Sequence, residues 1–209
     1  MAGIELAPGL RLVTRAQWGA DARLPRLGHS VARSARTHVF IHHTVMIDRD
    51  PTPNIWERDA EIFAMMRSLQ RARPDLGLDV PYSFVAFLTA GEGLTIAEGR
   101  GEDRSGAHSV GHNSAAIGIA FAGDFHGADI DAAEIAARMP LLSAFLGWLR
   151  SSASHPAYGS FAPMARLGSV RPPAATGRAV WAHCDIKATA CPGAKLLPHL
   201  AAVTFGGEA

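Results

Sequence analysis

A chain of 209 residues, 48% hydrophobic and 19% charged, is long enough to bury a full core as one domain. Its formal net charge of +1 supplies no broad basic field, which argues against nucleic acid as a partner. The apolar runs fall short of the roughly 18 residues that span a bilayer, so neither a transmembrane helix nor membrane insertion is expected.

The opening Met1 to Pro8 lacks the basic start and apolar region of a secretory signal. The chain is therefore expected to be made in the cytoplasm, unless it is a processed or excised piece. Residues 1–30, rich in Gly, Pro and Arg, read as an arm over the domain, with Trp18 as its anchor. Residues 1–11 are set apart as the arm proper, and residues 12–205 as a single domain. Residues 37–45 form the first strong strand, apolar and β-branched. Ile55, Ile62, Met66 and Leu69 recur at helical spacing over 55–73, and Pro74 stops the pattern.

Tyr82 to Thr89 reads as a second strand, turning at Gly91-Glu92-Gly93 into a short strand from Leu94 to Glu98. Gly99-Arg100-Gly101 lacks the third glycine and following helix of a dinucleotide site and reads as a plain turn. Ala116 to Ala122 is a further apolar strand. Asp131 to Arg150 is helical, with Pro140 expected to kink or divide it. Residues 151–178 carry Ser, Pro and Gly throughout and read as a long surface loop. A last strand from Arg178 to Ala182 delivers His183, and a short helix is expected after Cys191-Pro192-Gly193. Strands apolar on both faces and alternating with helices predict an α/β fold, a central mixed β-sheet flanked by helices.

The chemistry-bearing residues cluster late. His183 and Cys191 stand eight positions apart, and the apolar strand about 140 residues earlier holds His38, His42 and His43. Two imidazoles and one thiolate would give a tetrahedral ion three ligands and leave one corner open, the pattern of a catalytic zinc site. Only two cysteines exist, Cys184 and Cys191, so a framework of disulfides is excluded. A single bridge between them is the competing reading; metal ligation by Cys191 would leave Cys184 as a free thiol. Neighbours on a strand face opposite ways, so His42 and His43 cannot both reach one ion. His38 shares the nominal face of His42 but lies two rungs away. His112, His126, His155 and His199 occupy loop or terminal positions and read as solvent-exposed.

Several blocks accompany this pattern in order: Arg15-Ala16-Gln17-Trp18-Gly19-Ala20, Ile41-His42-His43-Thr44, Asp79-Val80-Pro81-Tyr82-Ser83-Phe84 and Ala97-Glu98-Gly99-Arg100-Gly101. Gly106-Ala107-His108 with Asn113, Ile117-Gly118-Ile119-Ala120, Gly123-Asp124-Phe125 and Cys191-Pro192-Gly193 complete the series. The set resembles the type 2 N-acetylmuramoyl-L-alanine amidases, the family of phage T7 lysozyme and the peptidoglycan recognition proteins, from about residue 12 to residue 200.

The resemblance implies one Zn2+ per chain held by His42, His183 and Cys191, with His43 a packed supporting residue. It implies hydrolysis of the amide between N-acetylmuramic acid and L-alanine in peptidoglycan. Tyr82 takes the place of the family's catalytic tyrosine, and Thr189 stands where some members carry a lysine. Thr44, His108 and Asn113 match the substrate groove, with a side-chain-stabilised turn as the other reading of Asn113. Cys184 replaces an arginine common in the family, removing a structural ion pair, and leaves Asp185 to orient a ligand imidazole or cap the turn. Glu98 and Arg100 fall in a partly structural block. The implied protein is a monomeric endolysin, or its catalytic domain, acting at the bacterial cell wall. The alternatives are a peptidoglycan-binding module without catalysis and a bacterial recycling or autolytic amidase. A zinc nucleobase deaminase is excluded, since neither His-x-Glu nor Pro-Cys-x-x-Cys occurs.

Overall fold

Alternation along the central strands decides the architecture. In β5 (Phe84–Thr89), Phe84, Ala86 and Leu88 join one apolar cluster while Val85 and Phe87 join another on the opposite face. A strand buried on both faces needs cover on both sides, which the helices supply. The structure, a computed structural model, describes residues 3–45, 55–127, 130–151 and 162–206.

The remaining strands are β1 (Ile4–Ala7), β2 (Leu10–Val13), β3 (His38–His43), β4 (Ile55–Trp56), β6 (Gly93–Glu98), β7 (Ala116–Phe121) and β8 (Trp181–Ala182). They run in the order β1-β2-β6-β5-β7-β3-β8, with β4 added beside the end of β5. The β1–β2 and β5–β6 pairs are antiparallel, and all other pairs are parallel. The sheet is therefore mixed and flanked by helices, as the alternation predicts.

On one face lie α1 (Arg15–Trp18) and α2 (Asp59–Leu69), which bury Trp18, Ile62, Met65, Met66 and Leu69. The other face packs against α3 (Ala132–Ala136) and α4 (Met139–Arg150), which bury Leu142, Phe145, Leu146 and Leu149. Each such large apolar side chain contributes about 1.5–3 kcal/mol relative to exposure. Pro140 divides the helical region, sitting in the first turn of α4, where a missing N–H costs nothing.

Several expectations are corrected. Residues 1–30 are not simply an arm, because β1 and β2 extend the sheet and β2 pairs with β6 from Leu10–Leu94 to Val13–Ala97. Their short strands escape a reading based on long apolar runs. Trp18 is an anchor all the same: it is fully buried, and its indole N–H donates to the Glu98 carbonyl at 2.8 Å. Ile55 belongs to β4 rather than the helix. The helix after Gly193 is displaced to a 3-10 segment, Leu197–Ala202. Ala132–Arg150 is, by length and composition, long and apolar enough to cross a membrane, contrary to the run-length expectation. Here its apolar residues pack into the sheet's core, a sufficient use for them. Of the 151–178 loop, residues 152–161 lie outside the described residues, as does His155.

Candidate metal and peptidoglycan site

The site forms where parallel strands β3 and β8 end together. Phe40 and Ile41 pair with Trp181 and Ala182, so His42 and His183 follow on adjacent strand ends. The chain then loops out and returns, and the Cys184 N–H donates to the Cys191 carbonyl at 3.1 Å, closing the loop beneath the two histidines. Gly193 holds φ +105°, and a Cβ there would stand 2.4 Å from the Phe125 carbonyl carbon, so only glycine lets the returning loop lie this close.

His42, His183 and Cys191 place one ligand atom each within 4.8 Å of one another. His42 Nδ1 lies 3.6 Å from Cys191 Sγ, and the His42 and His183 ring centroids are 4.7 Å apart. A tetrahedral zinc with Zn–N of about 2.05 Å and Zn–S of about 2.3 Å requires an N···S separation of about 3.6 Å, which this pair meets. Burial pushes the Cys191 thiol up to about 11 and holds both imidazoles below the usual histidine range. Further lowering comes from neighbouring His108 at His42 and from Lys187 at His183. Neutral nitrogens around a buried thiol with no cationic partner form a donor set that fits a soft divalent cation. Both cysteines are free, so no bridge competes for Cys191.

His43 turns away, as strand alternation requires: its Nδ1 accepts from Phe125 N–H at 3.1 Å on the α4 side of the sheet. The Cys191 sulfur accepts instead from the His43 backbone N–H. His42, His183 and Cys191 line a cleft of about 310 Å³ together with Tyr82, Thr44, His108, Leu69, Arg73 and Leu76. The Tyr82 ring centroid lies 5.4 Å from that of His42, and burial raises its phenol, with Cys191 adding to the effect. Asp79, fully buried, fixes the approach to Tyr82: it pairs with Arg15 at 2.9 Å and accepts from the Val80 and Leu27 backbones.

Thr189 is exposed beside the site, and its Oγ1 accepts from the Cys191 N–H at 3.2 Å. Thr44 Oγ1 accepts from Gly123 N–H at 3.0 Å. Asn113 takes the turn role, its Oδ1 accepting from both the His108 and Ser109 N–H groups. His108 is only 8% exposed, with Nδ1 3.1 Å from His42 Nε2. Burial first, then Arg36, holds it down at about 3. Arg36, itself fully buried, donates to the carbonyls of Glu102, Arg104, Asn113, Ser114 and Ala116 and so shapes the whole loop that carries His108.

The ion pair expected to vanish with Cys184 is present from another direction. Asp185 pairs with Arg178, both 8% exposed, and its other oxygen accepts from Ala182 N–H at 2.7 Å. Asp185 thus caps the turn that presents His183. His112, expected to be exposed, is half-buried and lies 3.0 Å from His38 Nε2; His199 is also half-buried, whereas His126 is exposed. Sequence reasoning missed Ser109, whose Oγ stands 3.1 Å from His108 Nδ1. Gly118 stood in one of the sequence blocks but was given no role, although a glycine inside a strand marks a close approach by another group.

A mixed, helix-flanked sheet with two imidazoles and a thiol gathered at parallel strand ends defines an α/β protein with a buried three-donor site. No family model matches the chain. It is 31% identical over 137 residues to peptidoglycan-recognition protein SC2 of Drosophila simulans, covering 65% of this chain and 67% of that protein. It is 38% identical over 125 residues to peptidoglycan-recognition protein 1 of Holotrichia diomphalia, covering 59% of this chain and 55% of the relative, so the match spans about half of that protein. Over 116 residues it is 34% identical to an N-acetylmuramoyl-L-alanine amidase of Mus musculus, covering 54% of this chain and 20% of that longer protein. The fold is also that of peptidoglycan recognition protein-LE in its complex with tracheal cytotoxin, with a TM-score of 0.61, 20% identity, and 93% and 94% of the two chains covered. The chain belongs to the family of peptidoglycan recognition proteins and type 2 N-acetylmuramoyl-L-alanine amidases.

Proposed function

We propose that this protein is a zinc-dependent amidase that cuts the bond between N-acetylmuramic acid and L-alanine in peptidoglycan. The observation that carries the reading is Cys191: its thiol completes a three-donor cluster with His42 and His183 at the floor of the cleft. Zinc bound there would polarise the scissile carbonyl and lower the pKa of a water molecule towards about 7. The protein's own groups supply the rest. Tyr82 keeps its proton, because burial raises the phenol, and can donate it in a hydrogen bond to the oxyanion as the carbonyl carbon becomes tetrahedral. Thr189 uses a lone pair for Cys191 N–H and retains a hydroxyl proton for the same oxygen or the leaving amine. Thr44 and the apolar wall of Leu69 and Leu76 receive the muropeptide.

The setting in this proposal is a monomeric, lytic enzyme of the endolysin kind, acting at the bacterial cell wall. A recognition role without cleavage is the second reading, favoured by the names of the insect relatives and by the neighbour's complex with tracheal cytotoxin. The test is incubation of zinc-loaded protein with purified muropeptides, followed by mass spectrometry. Free stem peptide, absent after chelation and with Cys191→Ser, supports the amidase; bound but intact muropeptide selects recognition.

A further inference from the structure

We infer that His108 is a positioning residue for His42, holding the ring so that Nδ1 faces Cys191 and His183, rather than a group that contacts substrate. The inference rests on the zinc reading of those three residues. His42 Nδ1 lies 3.6 Å from the Cys191 sulfur, and its other nitrogen, Nε2, lies 3.1 Å from His108 Nδ1. A nitrogen that ligates a cation carries no proton, so the His42 proton sits on Nε2 and is donated to His108 Nδ1. That fixes the second ring as well: His108 must accept at Nδ1 and carry its own proton on Nε2. Ser109 Oγ, 3.1 Å from His108 Nδ1 and 3.5 Å from His42 Nε2, closes a small polar triangle around the shared proton.

The surrounding fold is cut to admit this ring. A Cβ on Gly118 of β7 would stand 2.4 Å from His108 Cδ2 and Nε2, and one on Gly106 would stand 2.3 Å from Cδ2. The two glycines therefore create a slot in the sheet's face. His108 Nε2 is buried in that slot without a hydrogen-bond partner. A group meant to grip a ligand would aim its free nitrogen into the cleft. This ring instead aims its satisfied nitrogen at His42 and hides the other. Hydrogen-bond partners of metal-binding imidazoles set their tautomer and orientation, and their loss typically weakens metal binding by about 10–100-fold.

The test measures zinc affinity by chelator competition for the whole chain, its His108→Phe and His108→Gln variants, and Cys191→Ser. Phe fills the slot but accepts no proton, whereas Gln restores an acceptor. About 10–100-fold weaker zinc binding by His108→Phe, with recovery in His108→Gln, is expected. Wild-type zinc affinity in His108→Phe, with muropeptide binding lost, would overturn the inference and return His108 to the substrate groove. Failure of the unaltered protein to bind zinc would instead sink the metal reading, and this inference with it. Should the variants fold poorly, 15N spectra of the zinc-loaded unaltered protein decide the matter. A protonated Nε2 on both His42 and His108 is expected, and a protonated His108 Nδ1 overturns the proposal.

Discussion

His42 Nδ1 and Cys191 Sγ stand 3.6 Å apart although 149 positions separate them in the chain. The contact joins the end of β3 to a loop held by β8, so whatever binds between them crosslinks two ends of the fold. A ligand that binds only the folded state stabilises it by RT ln(1 + [L]/Kd), about 2.7 kcal/mol at a hundredfold excess over Kd. For a domain of this size each kcal/mol is worth about 2–4 °C in Tm. Chelation is therefore expected to lower Tm by roughly 5–10 °C in the unaltered protein. Cys191→Ser should show almost no response to added zinc or to chelator. Scanning calorimetry with and without chelator checks this, and equal zinc responses in the two proteins would remove Cys191 from the ligand set.

Tyr82 sits against His42 with its phenol held protonated, so its expected contribution is one hydrogen bond to charge that develops during reaction. Loss of a comparable oxyanion donor costs about 10²–10³ in kcat. Tyr82→Phe should fall by that order, with KM for muropeptide and zinc affinity nearly unchanged. A fall confined to KM would make Tyr82 a binding group instead.

The strand that presents His42 was legible as a short, continuous apolar and β-branched run, buried on both faces, and the geometry of a strand, which sends neighbours to opposite sides, separated His42 from His43. The long-range pairing of β2 with β6 was not legible: four-residue strands carry little periodic signal, and pairing partners some 80 residues apart leave no local trace. The role of Asp185 was half legible. Its capping followed from its place just after His183, but its partner Arg178 comes from upstream of β8, where no spacing rule points. His108 was recognisable as part of the site through its neighbours in sequence. Its burial was not, because that depends on Gly118 of β7 lying against a ring carried by the preceding loop.

Arg36 offers a stability prediction tied to the site loop. Its guanidinium lies fully buried and spends its donors on five backbone carbonyls between Glu102 and Ala116, with burial lowering it to about 10. Lysine has three donors on one point charge and cannot span this set. Hydrogen bonds to charged groups are worth about 1.5–3 kcal/mol each. Arg36→Lys is thus expected to destabilise the fold by about 2–4 kcal/mol and to loosen the turn around His108. Denaturant unfolding and amide exchange at residues 102–116 provide the check; a change below about 0.5 kcal/mol would contradict it.

His38 gives the protein a pH dependence of predictable sign. Burial, then His112 and Arg36, lowers it from 6.5 to about 4. Between those values the unfolded chain binds a proton that the folded chain refuses, so stability rises with pH across the window. The favourable contribution is intact above about 6.5 and is lost progressively as pH falls towards 4. At 1.36 kcal/mol per pH unit the loss reaches on the order of 3 kcal/mol. His38→Gln should flatten this part of the profile relative to the unaltered protein, as urea midpoints between pH 4 and pH 7 would reveal. Parallel profiles for the two proteins would rule His38 out as the source.

Asp185 and Cys184 are adjacent, yet their substitution should differ sharply in consequence. Asp185 caps Ala182 N–H and neutralises Arg178 within a pair only 8% exposed on either side. Removing one partner of a buried ion pair strands the other charge and typically costs about 3–5 kcal/mol. Asp185→Ala is expected to lose that order of stability and, by releasing the turn, to weaken zinc binding through His183. The Cys184 thiol, by contrast, is half-buried, packs at the edge of the α4-side core and stands outside the three-donor cluster; its anchoring contact is the backbone N–H to the Cys191 carbonyl. Alanine keeps that N–H, so Cys184→Ala should lose no more than about 1 kcal/mol and retain zinc. Measuring both variants by calorimetry and chelator competition separates the two roles. Loss of zinc by Cys184→Ala would show that the thiol serves the site directly and that the three-donor assignment is incomplete.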